Sequence, residues 1–242
     1  MPAFERPKSL LDKPFTYCPG CGHGIIHRIV AQTLDKLQLR GKTLGVFPVG
    51  CASQAGKFFD VDCHLALHGR APAVATGIKR SLPEKIVFTY QGDGDLASIG
   101  AAEIIHAANR GENFTVIYVN NAIYGMTGGQ MAPTTLIGQK TSTTPHERKA
   151  EEEGYPIKMT EIFEQIDGVD YLARSSVHNV KNIKDTEKKV EKAFQNQLNG
   201  EGFSVVEILS TCPTGWRLSP RDSMRWIEET LMQEYPIEKG SI

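Results

Sequence analysis

Lys85-Ile86-Val87-Phe88-Thr89-Tyr90 is a short apolar run that ends in Gly92-Asp93-Gly94, and Phe114-Thr115-Val116-Ile117-Tyr118-Val119 is a second that ends in Asn120-Asn121. Each has the length and β-branched or aromatic content of a buried strand. Between them, Ile99 to Asn109 carries apolar residues at helical spacing and is closed by Gly111. Strand, helix and strand in that order make a β-α-β unit, whose crossover is right-handed and whose strands are parallel. Paired strands lie ~4.8 Å apart, so Gly92-Asp93-Gly94 and Asn120-Asn121 converge on one small volume at the carboxyl edge.

The pattern repeats outward. Ile25, Ile26, Ile29, Val30, Leu34 and Leu37 predict a helix from Gly22 to a stop at Gly41, followed by a strand over Thr43 to Val49. Gly50 to Arg70 reads as a loop, and Ala71 to Ser81 as a helix. After an irregular stretch at 122–158 come a strand near Tyr171 to Arg174 and a helix through Ile183, Val190, Phe194 and Leu198. A strand over Ser204 to Leu209 and a helix over Asp222 to Glu234 complete the chain. Alternating strands and helices specify an α/β fold, a doubly wound parallel sheet with its ligand beyond the strands' carboxyl ends. Residues 1–17, with Pro2, Pro7 and Pro14, read as an extended arm lying on this chain's or a partner's surface. Residues 18–242 then form the one domain.

The 242 residues contain 27 Lys+Arg against 28 Asp+Glu, and 40% are apolar. That is ample for one packed core. The balanced charge argues against a nucleic-acid or anionic-membrane partner. No apolar run approaches the ~20 residues of a membrane-spanning helix, and the N-terminus lacks an apolar signal core, so the expected location is cytoplasmic. In a reducing compartment, five cysteines read as thiols or metal ligands.

Asp93 offers a hard anionic oxygen and Asn121 a neutral one, the donor types magnesium takes alongside phosphate oxygens. Glycines on both sides of Asp93 let backbone N–H groups approach a diphosphate, and the following helix adds its positive end. Either turn alone is ordinary loop chemistry; at the ends of consecutive parallel strands they point together to a magnesium-diphosphate site. Gly92-Asp93-Gly94, 25 residues, then Asn120-Asn121 resembles the thiamine diphosphate fingerprint, and the resemblance implies a thiamine-diphosphate-binding sheet of the diphosphate-domain type. It also implies magnesium on Asp93, Asn121 and the carbonyl of Ile123. Tyr124-Gly125-Met126-Thr127-Gly128-Gly129-Gln130 is similar to the matching loop of the 2-oxoacid:ferredoxin oxidoreductases, and the stretch from Asn121 to Gln130 resembles their 2-oxoglutarate and branched-chain members more than the long single-chain pyruvate enzymes.

Cys18-Pro19-Gly20-Cys21 precedes the first helix, Cys51 follows a strand-end glycine, and Cys212 follows the last strand. Spacing alone leaves Zn(Cys)4 and a cubane cluster equally open. The resemblance to the β subunits of the same oxidoreductases, which runs from about Tyr17 to Trp216, implies one [4Fe-4S] cluster on Cys18, Cys21, Cys51 and Cys212. Cys63, in Val61-Asp62-Cys63-His64, matches no ligand position and reads as a small buried hydrophobe. By the same likeness the cofactor is contacted by Val49-Gly50-Cys51-Ala52, by His68 in Leu67-His68-Gly69-Arg70-Ala71-Pro72, by Gly92 to Asp95, and by Gly125, Met126 and Thr127. His68 is the catalytic candidate, and His23 a weaker one.

The implied activity is coenzyme A-dependent oxidative decarboxylation of a 2-oxoacid, 2-oxoglutarate first, to acyl-CoA and carbon dioxide. Electrons leave singly to ferredoxin, and a low-potential donor could drive the reverse. Thiamine enzymes use a Glu against the aminopyrimidine ring, generally from a separate pyrimidine-binding domain, for which this chain has no room. The site is therefore expected at an interface with an α subunit, with γ and δ subunits as further partners and the arm and 122–158 as contacts. Two rivals stand beside this reading: a non-redox thiamine diphosphate decarboxylase or synthase subunit, and an iron–sulfur carrier or scaffold.

Overall fold

The computed structural model describes residues 5–237. Its centre is a six-stranded, all-parallel sheet in the order β2-β1-β3-β4-β6-β5. The strands are β1 (Thr43–Pro48), β2 (Asp62–Ala66), β3 (Ile86–Gly92), β4 (Thr115–Asn120), β5 (Val169–Ser176) and β6 (Phe203–Leu209). The chain leaves β1 for β2 on one side and returns to β3 on the other. That reversal is the switch point where open α/β sheets place their ligands.

Alternate residues of each central strand feed two cores. On one face Phe47, Phe88, Ile117, Val119 and Val206 pack under α1 (His23–Lys36) and α6 (Val180–Asn199). On the other, Val46, Val87, Val116, Tyr118 and Val205 pack under α2 (Ala71–Ser81), α3 (Ala101–Asn109) and α5 (Met159–Phe163). Strands buried on both faces read as continuous apolar runs, which is why β3, β4 and β6 were visible in the sequence. A third, smaller core joins Ala122 and Leu209 to Ile227, Leu231 and Tyr235 of the C-terminal helical segment. That segment is not one regular helix over 222–234: α8 (Pro220–Trp226) passes through a wide turn at Ile227–Leu231 into α9 (Met232–Glu234).

The sequence reading of 50–70 as a loop needs correction, because β2 forms inside it. Only one side of β2 is paired, and Asp62 to Leu65 are exposed, so it carries no alternation to reveal it. Cys63 sits on this edge and is exposed, which overturns the expectation of a buried hydrophobe. Two further short helices, α4 (Ala150–Glu153) and α7 (Pro213–Trp216), fall in stretches read as irregular.

Within the arm, residues 1–4 lie outside the described residues. From Pro7 onward it packs on this chain itself. Leu10 is buried and bridges to Phe59, the Ser9 hydroxyl donates to Asp35 at 2.6 Å, and the Phe15 ring meets Phe58 edge-on at 4.9 Å.

Across the first core, the Gln197 side chain of α6 mimics a strand. Its Nε2 donates to the Val87 carbonyl at 2.6 Å and its Oε1 accepts from the Val87 N–H at 3.0 Å. Gln197→Leu keeps the volume and strands a buried donor and acceptor of β3. We expect a loss of about 2 to 4 kcal/mol in denaturant unfolding.

The 122–158 stretch has little regular structure and is fixed by side chains. Arg148, only 3% exposed, donates to the carbonyls of Pro133, Thr135, Glu153, Gly154 and Tyr155. Thr141 and Thr144 share hydroxyls at 2.7 Å. The run Glu151-Glu152-Glu153 is a solvated face. Among the described residues, no helix is long and apolar enough to cross a membrane.

Candidate functional site

A cavity of about 550 Å³ opens at the carboxyl ends of β1, β3 and β4. Val49, Gly50, Cys51 and Ala52 come from the end of β1. His68 comes from the loop after β2, and Gly92, Asp93, Gly94 and Asp95 from the end of β3. Asn121, Ile123, Gly125, Met126 and Thr127 come from the loop after β4, and His23, Ser98, Ile99, Tyr124 and Gln130 complete the wall. All the residues named from the sequence as cofactor contacts thus face one space.

Asp93 is 2% exposed. Burial pushes its carboxyl up to about 6, partly offset by hydrogen bonds from the Thr134 hydroxyl and the backbone N–H groups of Gly94 and Ala122. The Thr134 contact, 2.5 Å long, spans 41 residues of sequence and could not have been read from it. Its only trace was the threonine-rich character of the loop. Asn121 Oδ1 accepts from the Ile123 N–H at 3.2 Å, and the Asn121 carbonyl accepts from Trp216 Nε1 at 2.9 Å.

Gly94 answers to a close approach. The Tyr124 hydroxyl donates to its carbonyl at 2.8 Å, and a Cβ there would lie 2.2 Å from the Tyr124 ring. Gly94→Ala must push that ring out of the cavity wall. We expect a loss of about 1 to 3 kcal/mol on melting, with a weaker ligand site.

Asp95 knits two loops together. It accepts from Gln91 Nε2 at 2.8 Å and from the Gly69 N–H at 2.5 Å, and His68 Nδ1 stands 3.0 Å away. His68 Nδ1 also lies 3.0 Å from the Val49 carbonyl. Two acceptors on Nδ1 place the proton there and leave Nε2 as the free nitrogen. His23 is buried beneath the cavity, with Nδ1 2.6 Å from the Tyr90 hydroxyl and its ring stacked on Tyr17 at 4.9 Å. Burial pushes it down to about 4, so it is neutral at pH 7.

The thiols gather beside this wall. A Cβ on Gly125 would stand 3.1 Å from Cys212 Sγ and 3.8 Å from Cys51 Sγ. Burial pushes the Cys21 and Cys212 thiols up to about 12. The Cys51 thiol is also raised, by burial and then by Cys18 and Asp93. The Cys18–Cys21 turn is docked through the Gly20 carbonyl, which accepts from the Thr211 hydroxyl at 2.6 Å. Among the described residues, no three His, Cys, Asp or Glu side chains close on a point as ligands of a single ion would. Cys63, on the sheet edge, stands apart from the four.

The family described as thiamine pyrophosphate enzyme, C-terminal TPP binding domain, matches residues 48–208. The 2-oxoglutarate synthase subunit KorB of Archaeoglobus fulgidus is 36% identical over 216 residues, covering 89% of this chain and 76% of its own. The chain belongs to the β subunits of the 2-oxoacid:ferredoxin oxidoreductases. This β subunit is also 43% identical over 235 residues to the ketoisovalerate oxidoreductase subunit VorA of Methanothermobacter marburgensis. That match covers 97% of the chain but spans about half (49%) of the VorA relative. A solved 2-oxoglutarate:ferredoxin oxidoreductase from Magnetococcus marinus, with 2-oxoglutarate, coenzyme A and succinyl-CoA bound, superposes on the β subunit with a TM-score of 0.81 at 30% identity. It covers 95% of this chain and 74% of the solved one.

Proposed function

We propose that this β subunit holds magnesium and thiamine diphosphate in the cavity and one [4Fe-4S] cluster on Cys18, Cys21, Cys51 and Cys212. With an α partner it carries out coenzyme A-dependent oxidative decarboxylation of a 2-oxoacid, passing electrons singly to ferredoxin. The observation that carries this reading is that Cys51 belongs both to the wall containing Asp93 and Asn121 and to the group of thiols.

The residues suit both groups. Asp93 is a carboxylate kept dry at the cost of a raised pKa, and a divalent cation against it would relieve that cost. The oxygens of Asp93, Asn121 and Ile123 are the hard donors magnesium takes with phosphate. Burial raises the Cys21, Cys51 and Cys212 thiols, and soft iron bound to their thiolates would relieve that cost.

When bound, thiamine diphosphate supplies an electron sink for decarboxylation and the cluster a one-electron acceptor. The chain's own work is placement. Asp93, Asn121 and the Ile123 carbonyl would hold the metal, and Gly92, where a Cβ would meet nothing within 4 Å, leaves room for phosphate oxygens. His68, fixed by Val49 and Asp95, presents Nε2 at the mouth as a proton-transferring group. Val49, Ile99 and Met126, exposed in this chain, would exclude water from the cavity once a partner covers them.

No glutamate is among the cavity-lining residues described, so the group facing the aminopyrimidine ring would come from the α subunit. The exposed side chains of Val49, Leu65, Leu67, Ile99 and Met126 give that partner an apolar rim to cover.

For the substrate, 2-oxoglutarate was the expectation from sequence. Among the described residues lining the cavity there is no Arg or Lys to pair with a second carboxylate, while Val49, Ala52, Ile99, Ile123 and Met126 are apolar, which favours a second reading, a branched-chain 2-oxoacid.

Iron and acid-labile sulfide analysis of anaerobically purified protein, with EPR after dithionite reduction, tests the assignment. About four iron and four sulfide per chain with a reduced-cubane signal supports it. Stoichiometric zinc, or no metal, would move the chain to the non-redox thiamine enzymes. Rates with 2-oxoglutarate and 2-oxoisovalerate on the assembled enzyme decide the substrate.

A further inference from the structure

Directly behind the loop after β4 lies a buried chain of charged and polar groups. Glu207 of β6 is fully buried. Its Oε1 accepts from Asn120 Nδ2 at 2.7 Å, and its Oε2 accepts from Arg174 Nε at 2.6 Å and from the Thr160 hydroxyl. Arg174 is held in turn by Glu161, at 2.7 and 3.1 Å, and by the Pro236 carbonyl, with its guanidinium over the Tyr235 ring. At the other end, Asn120 Oδ1 accepts from the Ala122 N–H at 3.1 Å. Ala122 has φ of +56°, a left-handed conformation unusual for a residue with a Cβ.

The chemistry gives this chain a direction. A carboxylate only accepts, so Glu207 takes the amide nitrogen of Asn120 and leaves the amide oxygen for Ala122. Arg174 Nε, bonded to Oε2, keeps the Glu207 carboxylate aimed. A buried ion pair is weak support for stability and a better device for fixing geometry. What it fixes here is the turn between Asn121 and Ile123.

We propose that Asn120 and Glu207 are positioning residues for the magnesium site, holding Ala122 left-handed so that Asn121 and the Ile123 carbonyl are presented beside Asp93. The proposal rests on the magnesium reading of those three residues and adds a set of groups that touch neither metal nor cofactor. From the far side the Thr135 hydroxyl and Gln139 Nε2 hold the Ala122 carbonyl at 2.7 and 3.2 Å, while the N–H is given to Asn120 Oδ1 at 3.1 Å and also faces Asp93.

The test uses the full chain and two readouts: hydrogen exchange at the Ala122 and Ile123 amides without cofactor, and magnesium titration of thiamine diphosphate binding. Trp216, bonded to the Asn121 carbonyl, serves as a fluorescent reporter. Asn120→Ala is expected to speed exchange at Ala122 and raise the half-saturating magnesium concentration about tenfold or more. Glu207→Gln, which lets the Asn120 amide turn over, should move both readouts the same way. Asn120→Ala combined with Ala122→Gly should regain most of the magnesium response, because glycine adopts the turn unaided. Glu161→Gln, which loosens Arg174 alone, should lower stability and leave the magnesium response in place.

Unchanged exchange and titration in both Asn120→Ala and Glu207→Gln would overturn the positioning role. So would a double variant no better than Asn120→Ala. If wild-type protein binds thiamine diphosphate with magnesium while Asn120→Ala binds identically, only this inference falls. If wild-type protein shows no magnesium-dependent binding, the functional reading falls with it.

Discussion

Asp93→Ala should abolish magnesium-dependent thiamine diphosphate binding, weakening it by about a hundredfold or more, while the iron content stays at the wild-type level. Losing a partner that merely orients a metal ligand typically costs ten- to a hundredfold, and Asp93 is the one carboxylate among the three expected magnesium ligands. Nothing else replaces it: Asn121 and the Ile123 carbonyl are neutral, and Asp95 is engaged by Gln91, Gly69 and His68. The thiols do not depend on Asp93 for position, because Cys212 follows β6 and the Cys18–Cys21 turn is docked on Thr211. Equilibrium dialysis with and without magnesium, beside iron analysis of the same preparation, checks both halves. Retained affinity in Asp93→Ala would remove the ligand assignment, and iron lost together with the cofactor would show that the two sites are not separately built. Asp93→Asn is the companion variant, keeping the volume beside Thr134 while removing the charge.

Cys212→Ser should lose most of its iron and sulfide, whereas Cys63→Ser should keep both. Cys212 Sγ lies beside Gly125 as Cys51 Sγ does, is half-buried, and its thiol is raised in part by Cys21 and Cys51. A serine oxygen is a harder and far less acidic donor than a thiolate, and an iron cluster held by the remaining three thiols is left with an open iron. Cys63 stands exposed on the outer strand, and it is not among the groups that raise the Cys21, Cys51 or Cys212 thiols. Iron and sulfide per chain, measured after anaerobic purification of both variants, decide it. Equal loss in both would dissolve the quartet.

The elements that were legible in the sequence share a physical reason. β1, β3, β4 and β6 are buried on both faces, so each is a largely apolar run, and the helices between them repeat with a clear period. Strand-end motifs could be placed in one volume because parallel pairing fixes where strand ends go. β2 escaped notice because only one of its edges is paired and its side chains face solvent, and Cys63 was misjudged with it. Thr134, Gln139, Arg148 and Glu207 were invisible for a different reason. Their roles depend on contacts made across 13 to 41 residues or between strands, as with Thr135 to Ala122, Thr134 to Asp93 and Glu207 to Arg174. No local pattern encodes such a contact. The long 122–158 stretch was recognisable as functional by its length alone, while the five carbonyls gathered by Arg148 explain how so irregular a segment keeps its shape.

Gly50 and Cys51 form a corner with φ of +127° at the glycine, and this corner is at once part of the cofactor cavity and the seat of a thiol. If Cys51 holds the proposed cluster, losing the cluster would loosen the cofactor's lodging, whereas losing the cofactor leaves the thiols in place. On the proposed assignment, air that strips iron from the cluster would release Cys51 and slacken the corner that also lines the cofactor cavity. Inactivation by oxygen should then proceed as a joint failure, and repair would have to restore the inorganic centre before the organic one could be seated again.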